Sequence, residues 1–319
     1  MDQTEHQGLF ENALSVLHAN DRGDYIVPAG DLYPHQWLWD SCFISIGLRH
    51  LDVERAQKEL ESLVRGQWAD GMIPHLIFNP HPSHRREHNL WQSWLNPHAP
   101  NGVITSGITQ PPMLAEAVVR IGQKLKMPER RSWYSRMYPH LLGYHQWFYN
   151  ERATGDGLIL ILHPYESGMD NSPPLVHELR EHAWPWWLKV VEKTRLDAAV
   201  NLVRRDVHHV PPGQRISNIE AIAEWALLRC LRAKAYDSHA ILHKPKFGLA
   251  DVAFNSIFVR ANQHLVDIAK TIGQELPPEL VEDIKKTERS LESLWDEQSG
   301  RYYSRCLTNE YIPDASIAT

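Results

Sequence analysis

Cysteine is scarce in this chain: Cys42, Cys230 and Cys306 are the only three among 319 residues. Their odd number and wide spacing argue against a disulfide framework and for a reducing, cytoplasmic compartment. Long apolar runs are missing too; nothing approaches the ~18 residues needed to cross a bilayer, so no membrane partner is expected. The opening MDQTEHQGLF lacks the basic region and apolar core of a signal peptide. Basic charge is not in excess. Lys and Arg number 33 against 39 Asp and Glu, a net charge of −6 without a basic stripe, which speaks against a nucleic-acid partner. Neither GxGxxG nor GxxxxGK[ST] occurs, so nothing cradles a phosphate and no cofactor is expected. His81, His84 and His88 have a helix-like spacing. Two prolines surround the first and no carboxylate completes a ligand set, so they read as a solvated loop and no metal is expected. The adjacent His208 and His209 read as structural, and Cys42 as a core residue.

Tryptophan, by contrast, is plentiful: 12 residues, alongside 11 tyrosines. Large aromatic side chains fill cores, and their faces also stack on the C–H faces of sugar rings. The pairs Trp37/Trp39 and Trp91/Trp94 and the group Trp184/Trp186/Trp187 all sit beside polar loops.

Periodicity is mostly helical. Leu9, Phe10, Ala13, Leu14 and Leu17 share one helix face, as do Val53, Ala56, Leu60, Leu63 and Val64. Further helices are expected over 112–125, 131–150, 186–202, 217–235, 251–271 and 277–295. WDSCFISIGLRH (39–50) predicts another, starting at Asp40 or just after it, because Asp40 and Ser41 are good N-caps. The best strand candidate is GLILIL (157–162). Helical hairpins alternate with Pro-, Gly- and His-rich loops, and no linker divides the chain, so residues 1–319 read as one all-α domain. A ring of helices collecting its loops at one mouth fits better than a short-period solenoid.

Four loop segments carry the candidate chemistry. HPYESGMDNSPP (163–174) is broken by Pro164, Gly168, Pro173 and Pro174, and presents Glu166 and Asp170. Glycosidic cleavage needs a protonated carboxyl beside the leaving oxygen and a second carboxylate across the sugar. A partly dehydrated carboxyl holds its proton to higher pH. On composition alone, Asp170 could equally cap the next turn and Glu166 form a surface pair. DLYPHQWLWDS (31–41) offers Tyr33, Trp37, Trp39 and Asp40, where Asp40 could grip sugar hydroxyls or simply cap the helix. GMIPH (71–75) and SGITQPP (106–112) follow, the latter placing Gln110 at a helix mouth.

These four segments, in this order, resemble the glucosylglycerate and mannosylglycerate hydrolases, a group related to glycoside hydrolase family 63 and more distantly to the trehalases. The likeness extends through RRDVHHV (204–210), Gln214–Arg215 and FGLADVAFNSI (247–257). It implies an (α/α)6 toroid that hydrolyses the α-glycosidic bond of a small anionic glycoside with inversion, glucosylglycerate ahead of mannosylglycerate. It further implies Asp170 as general acid and Gly168 as a backbone contact to the sugar. Tyr33, Trp37, Leu38, Trp39, Asp40 and Gln110 would line the glycosyl subsite. Arg215 best matches the arginine that holds the glycerate carboxylate, with Arg204 and Arg205 as alternatives.

The chain also departs from the pattern. Ala221 stands where an aromatic is expected, and the loop 80–98 is richer in His and Arg; both changes touch the aglycone end. The family's general base, a glutamate in the last hairpins, has no counterpart before Thr319. The expectation is thus a toroid lacking its last hairpins, which by itself does not turn over substrate. The alternative is a non-catalytic sugar-binding protein, or a helical scaffold without a pocket where Asp40, Gln110 and Asp170 converge. Unpaired apolar helix faces would favour homo-oligomers.

Overall fold

The computed structural model describes residues 3–30, 32–194, 197, 211, 216–308 and 310–314. These contain twelve α-helices: α1 (Gln3–Asn20), α2 (Leu38–Leu48), α3 (Val53–Val64), α4 (Arg85–Trp91), α5 (Leu114–Gly122), α6 (Met127–Glu151), α7 (Pro173–His182), α8 (Leu188–Thr194), α9 (Asn218–Ala233), α10 (Ser238–His243), α11 (Val252–Ile272) and α12 (Pro278–Leu291). Six two-residue strands accompany them: β1 (Gln36–Trp37), β2 (Leu76–Ile77), β3 (Leu249–Ala250), β4 (Trp295–Asp296), β5 (Arg301–Tyr302) and β6 (Arg305–Cys306). The all-α expectation holds, and the sequence undercounts only among short helices.

Capping chemistry sets many of the boundaries. The Asp52 carboxylate accepts the Arg55 N–H ahead of α3, Ser217 and Glu220 form a capping box at α9, and Asp251 accepts the Phe254 N–H at α11. Each such cap contributes about 1 kcal/mol. Along α3 the buried Ala56, Leu60 and Leu63 recur at i, i+4 and i+7 and turn one stripe inward.

Three hairpins pack side by side. α2 lies against α3 and α5, α5 against α6 and α11, and α11 against α6 and α12. At their centre Trp133, Tyr144 and Phe148 of α6 are fully buried together with Phe254 and Phe258 of α11. Phe148 lies 4.9 Å from Phe258 and 5.7 Å from Phe254, ring centre to ring centre. Truncating any of these to alanine would cost roughly 3–5 kcal/mol. Helices α7 to α10 fall between α6 and α11 in sequence, with α7 and α8 packed on α9.

Two expectations change here. GLILIL forms no strand; it is a buried irregular segment with isolated bridges from Ile159 to Ala153 and from Ile161 to Leu249. Its backbone needs partners away from water, and the Asn255 side chain supplies them, accepting the Ile159 N–H at 2.7 Å and donating to the Ile159 carbonyl at 3.0 Å. The stripe predicted on α1 is only partly covered. Leu17 packs on the core, while Leu9 and Phe10 remain 64% and 53% exposed.

One close approach shapes the loop ahead of β2. Gly71, at φ +105, lies directly on the backbone of Gly143 in α6, so a Cβ there would overlap the Gly143 carbonyl. No helix among the described residues is long and apolar enough to cross a membrane.

Candidate active site

Main-chain bonds join the first three loop segments, and a main-chain N–H to a side chain joins the fourth. β1 and β2 pair antiparallel with Trp37 opposite Leu76, and the Leu38 N–H donates to the His75 carbonyl at 2.9 Å. His75 N–H donates in turn to Ile108 O at 2.7 Å. The Thr109 N–H donates to Glu166 Oε1 at 3.3 Å. These bonds correct the expected helix start. α2 begins at Leu38 with Trp37 as N-cap and no side-chain cap, which places Asp40 inside the first turn. The His75 carbonyl takes the first helical N–H and Gln110 Oε1 takes the next, that of Trp39, which is one a capping side chain normally accepts, so Asp40 is not needed for that work.

Behind this floor, Glu59 of α3 holds the segment in register. It is fully buried and accepts bonds from Ser41 Oγ at 2.7 Å, the Ile26 N–H at 2.9 Å and Arg55 Nη1 at 3.1 Å. Gln36 Nε2, on the strand that carries Trp37, donates to the Glu59 carbonyl at 3.1 Å. Burial dominates its titration and pushes Glu59 up to about 7 despite Arg55.

At the front, the Trp39 N–H donates to Gln110 Oε1 at 3.4 Å, and the Trp39 indole packs directly against Gly168. Gly168 has φ +69, and a Cβ there would overlap the indole. Trp39 therefore joins the start of α2, the 106–112 loop and the 163–174 loop. Tyr33, exposed at the rim, stands edge-on to Trp37 with centroids 5.5 Å apart. Trp37 stands edge-on to His75 at 5.0 Å, and its indole N–H is buried without a hydrogen-bond partner among the described residues. Leu38 is wholly buried and supports the mouth from below.

The carboxylates divide sharply. Glu166, for which the sequence left open a surface pair, is wholly buried. It bonds to Arg152 Nη1 at 3.1 Å, the Leu162 N–H at 2.6 Å and the Thr109 N–H at 3.3 Å, so its role is to hold the loop. Asp170 and Asp40 bond to no other residue among the described ones, apart from their own backbone. Burial raises Asp170 above its ordinary value and pushes Asp40 up to about 6. Asp170 does not cap α7, whose N-cap is Ser172.

Two histidines complete the wall in neutral form. Burial lowers His75 well below its usual range, and its Nδ1 bonds with Ser106 Oγ at 2.6 Å. His163 is pushed down to about 4 by burial. Its Nε2–H donates to the Glu224 carbonyl at 3.1 Å, and its Nδ1 accepts the Tyr165 N–H at 3.2 Å.

The histidine-rich loop also differs from expectation. His81 turns to Ser83 and His88 to the Asn79 carbonyl. His84 instead joins His35 and Glu87, with donor atoms within 4.8 Å of one another. Glu87 Oε2 lies 2.6 Å from His35 Nε2 and 3.3 Å from His84 Nδ1. The Asn79 N–H donates to His35 Nδ1 at 3.2 Å, which puts the imidazole proton on Nε2, facing Glu87. A metal at Nε2 would require the opposite tautomer, so this trio is a hydrogen-bonded clamp of α4 onto the segment leading into β1.

Arg215 lies outside the described residues, as do Arg204, Arg205, His208 and His209. Glu59, Arg152, Glu87 and His163 were not singled out from sequence. Only the Glu59/Arg55 spacing of i, i+4 hinted at one of them, and it reads as an ordinary surface pair.

Comparison with known proteins identifies the family and the fold. Residues 33–318 match the model of the mannosylglycerate hydrolase MGH1-like glycoside hydrolase domain. A mannosylglycerate hydrolase of Thermus thermophilus is 39% identical over 295 residues, covering 92% of this chain and 67% of its own. A glucosylglycerate hydrolase of Mycolicibacterium hassiacum is 35% identical over 271 residues, covering 82% of this chain and 58% of its own. The crystal structure of a family 63 mannosylglycerate hydrolase from Thermus thermophilus, in complex with Tris and D-glycerate, superposes with a TM-score of 0.79 at 36% identity, covering 94% of this chain and 68% of that one. The helical hairpins are thus those of an (α/α)6 toroid. The chain spans about three fifths to two thirds of the length of these proteins.

Proposed function

The chain belongs to the mannosylglycerate hydrolase MGH1-like glycoside hydrolase family, and we propose that it carries the sugar-binding, acid-donating part of a hydrolase for α-glycosides of glycerate. The observation that carries the proposal is Trp39. Its side chain packs against Gly168 and its N–H donates to Gln110; on this reading Asp40, the residue after it, and Asp170, two residues past Gly168, both raised by burial, face one aromatic mouth.

In this reading Asp170 gives its proton to the leaving oxygen; burial keeps that proton on to higher pH. Asp40 and Gln110 grip hydroxyls, Trp37 and Trp39 flank the ring, Tyr33 closes the rim and Gly168 offers its backbone. Arg215 pairs with the glycerate carboxylate, for which a guanidinium fork is well shaped. Inversion needs a second carboxyl about 6.5–9.5 Å from the first, across the sugar. Glu166 is committed to Arg152, and Asp40 sits on the sugar-gripping side. Neither is the base, and residues 1–319 alone are expected to bind substrate without turning it over.

Calorimetric titration and hydrolysis assays with mannosylglycerate, glucosylglycerate and trehalose test this. Binding of either glycerate glycoside should survive Asp170→Asn and weaken selectively in Arg215→Ala. In a form that does hydrolyse, Asp170→Asn should lose about 10²–10⁴ in kcat. No binding of either glycerate glycoside overturns the proposal. Robust turnover by residues 1–319 would locate the base among them and overturn the two-part reading.

A further inference from the structure

Backbone strain gathers at one junction behind the mouth. Only three non-glycine residues among the described ones have a positive φ: Gln92 at +48, Ala235 at +50 and Tyr236 at +59. All three lie where the end of α9 meets the 91–96 loop. The Tyr236 hydroxyl donates to the Trp91 carbonyl, next to Gln92. The Asn96 side chain donates to the Ala235 carbonyl at 2.9 Å, and Arg232 Nη1 donates to the Leu90 carbonyl at 2.8 Å. Side chains with a Cβ adopt this backbone region at a cost, and two in succession persist only where surrounding contacts fix them.

The left-handed turn aims the Tyr236 ring. The ring is buried directly on Gly107, where a Cβ would overlap it. It also stacks on Trp91, with centroids 6.5 Å apart and 20° between the planes. Trp91 continues to His75 at 5.0 Å, and His75 meets Trp37 at 5.0 Å. Gly107 lies three residues before Gln110. One side chain thus backs both the 106–112 loop and the aromatic wall. Further along α9, the Glu224 carbonyl accepts from His163 Nε2 at 3.1 Å, at the start of the acid loop. The Glu220 carboxylate accepts from Arg180 Nη2 at 2.6 Å, on α7, which begins three residues after Asp170. Helix α9 is therefore a strut between the acid loop and the sugar-gripping loops, pinned at one end by its strained turn.

We propose that Tyr236 is a positioning residue for the glycosyl subsite, its ring holding Gly107 and Trp91, and through them Gln110, His75 and Trp37, in register with the acid loop. The role in sugar binding rests on the proposed function; the holding of the loops does not.

Amide hydrogen exchange on the unliganded chain, Tyr236→Leu against wild type, reads the coupling without any glycoside. His75, Ser106 and Thr109 donate their N–H groups across the floor of the mouth. Their exchange should quicken about tenfold, the size of an ordinary coupling between packed residues, while α11 and α12 keep their wild-type rates. Tyr236→Phe keeps the ring and should stay near wild type. Gly107→Ala drives a methyl into the ring from the loop side and should reproduce the Tyr236→Leu pattern, including where Tyr236→Leu does not fold. Calorimetric titration should then show mannosylglycerate binding about tenfold more weakly to Tyr236→Leu and Gly107→Ala, and hardly changed for Tyr236→Phe. Exchange that quickens only in the turn after α9, or equally throughout the chain, overturns the proposal. So does wild-type glycoside affinity in folded variants whose mouth amides have loosened. A wild-type chain that binds no glycoside counts against the proposed function, and the exchange rates still decide whether Tyr236 holds the loops.

Discussion

Glu166 and Asp170 stand four residues apart on one loop in opposite surroundings. Glu166 points into the protein, where a guanidinium and two main-chain N–H groups surround it. Asp170 lies beyond the left-handed turn at Gly168, partly buried but bonded to no neighbour among the described residues. The same chemical group does two jobs. A carboxylate with three donors is a structural tie, and its charge is already used. A carboxylate taken out of water and left without a donor is held for something that arrives later. Asp40 belongs with Asp170 in this respect, although it lies on helix α2 and Asp170 on a loop.

Arg152→Leu should separate the two kinds most clearly. It strands a fully buried charge at Glu166 and should cost about 3–5 kcal/mol in urea unfolding, much of it recovered in Arg152→Leu/Glu166→Leu. A cost below about 1 kcal/mol would mean that Glu166 is no tie. Asp40→Asn should act in the other direction. Its folded pKa is raised to about 6 from the ordinary 3.8, so its contribution to stability is full below pH 4 and lost as pH rises to about 6. Above that, ionised Asp40 costs up to about 3 kcal/mol. The asparagine variant should be more stable than wild type at pH 8 and equal to it near pH 4. No gain at pH 8 would show that Asp40 has a partner in solution. Gly168→Ala should have the smallest effect on stability, about 1–2 kcal/mol for a left-handed alanine. The added methyl meets Trp39, so near-ultraviolet circular dichroism and glycoside affinity should change by more than the loss of stability suggests.

Much of the site was legible because loops announce themselves. Pro164, Gly168 and the Pro173–Pro174 pair ruled out a helix around Asp170. The aromatic and polar residues of 33–40 and 106–112 stood where helices begin. The interior was not legible. Glu59 and Arg152 lie on helices or helix ends, where a charged residue normally means a solvent-facing surface; only tertiary packing decides that these two face inward. The pairing of His84 with His35, 49 positions away, follows from how α4 folds back, which the local spacing 81, 84, 88 does not encode. The expected cap at Asp40 failed for a related reason: the His75 carbonyl and the Gln110 side chain, both distant in sequence, took the first free N–H groups of a helix that starts two residues before Asp40.

The two glycines that meet behind the 71–75 segment illustrate how unequal one contact can be. Seen from Gly71, an added methyl runs into the carbonyl of α6, a rigid obstacle, at a backbone angle few other residues tolerate. Seen from Gly143, the same methyl would meet only Gln67 Nε2 and the Gly71 Cα at 3.7 Å, an ordinary van der Waals distance. Position 71 has no substitutional latitude, whereas position 143 admits alanine or serine. Among related sequences, drift should accumulate on the helix side of this contact and stay frozen on the loop side, so that the path into His75 keeps its shape while the helix behind it varies.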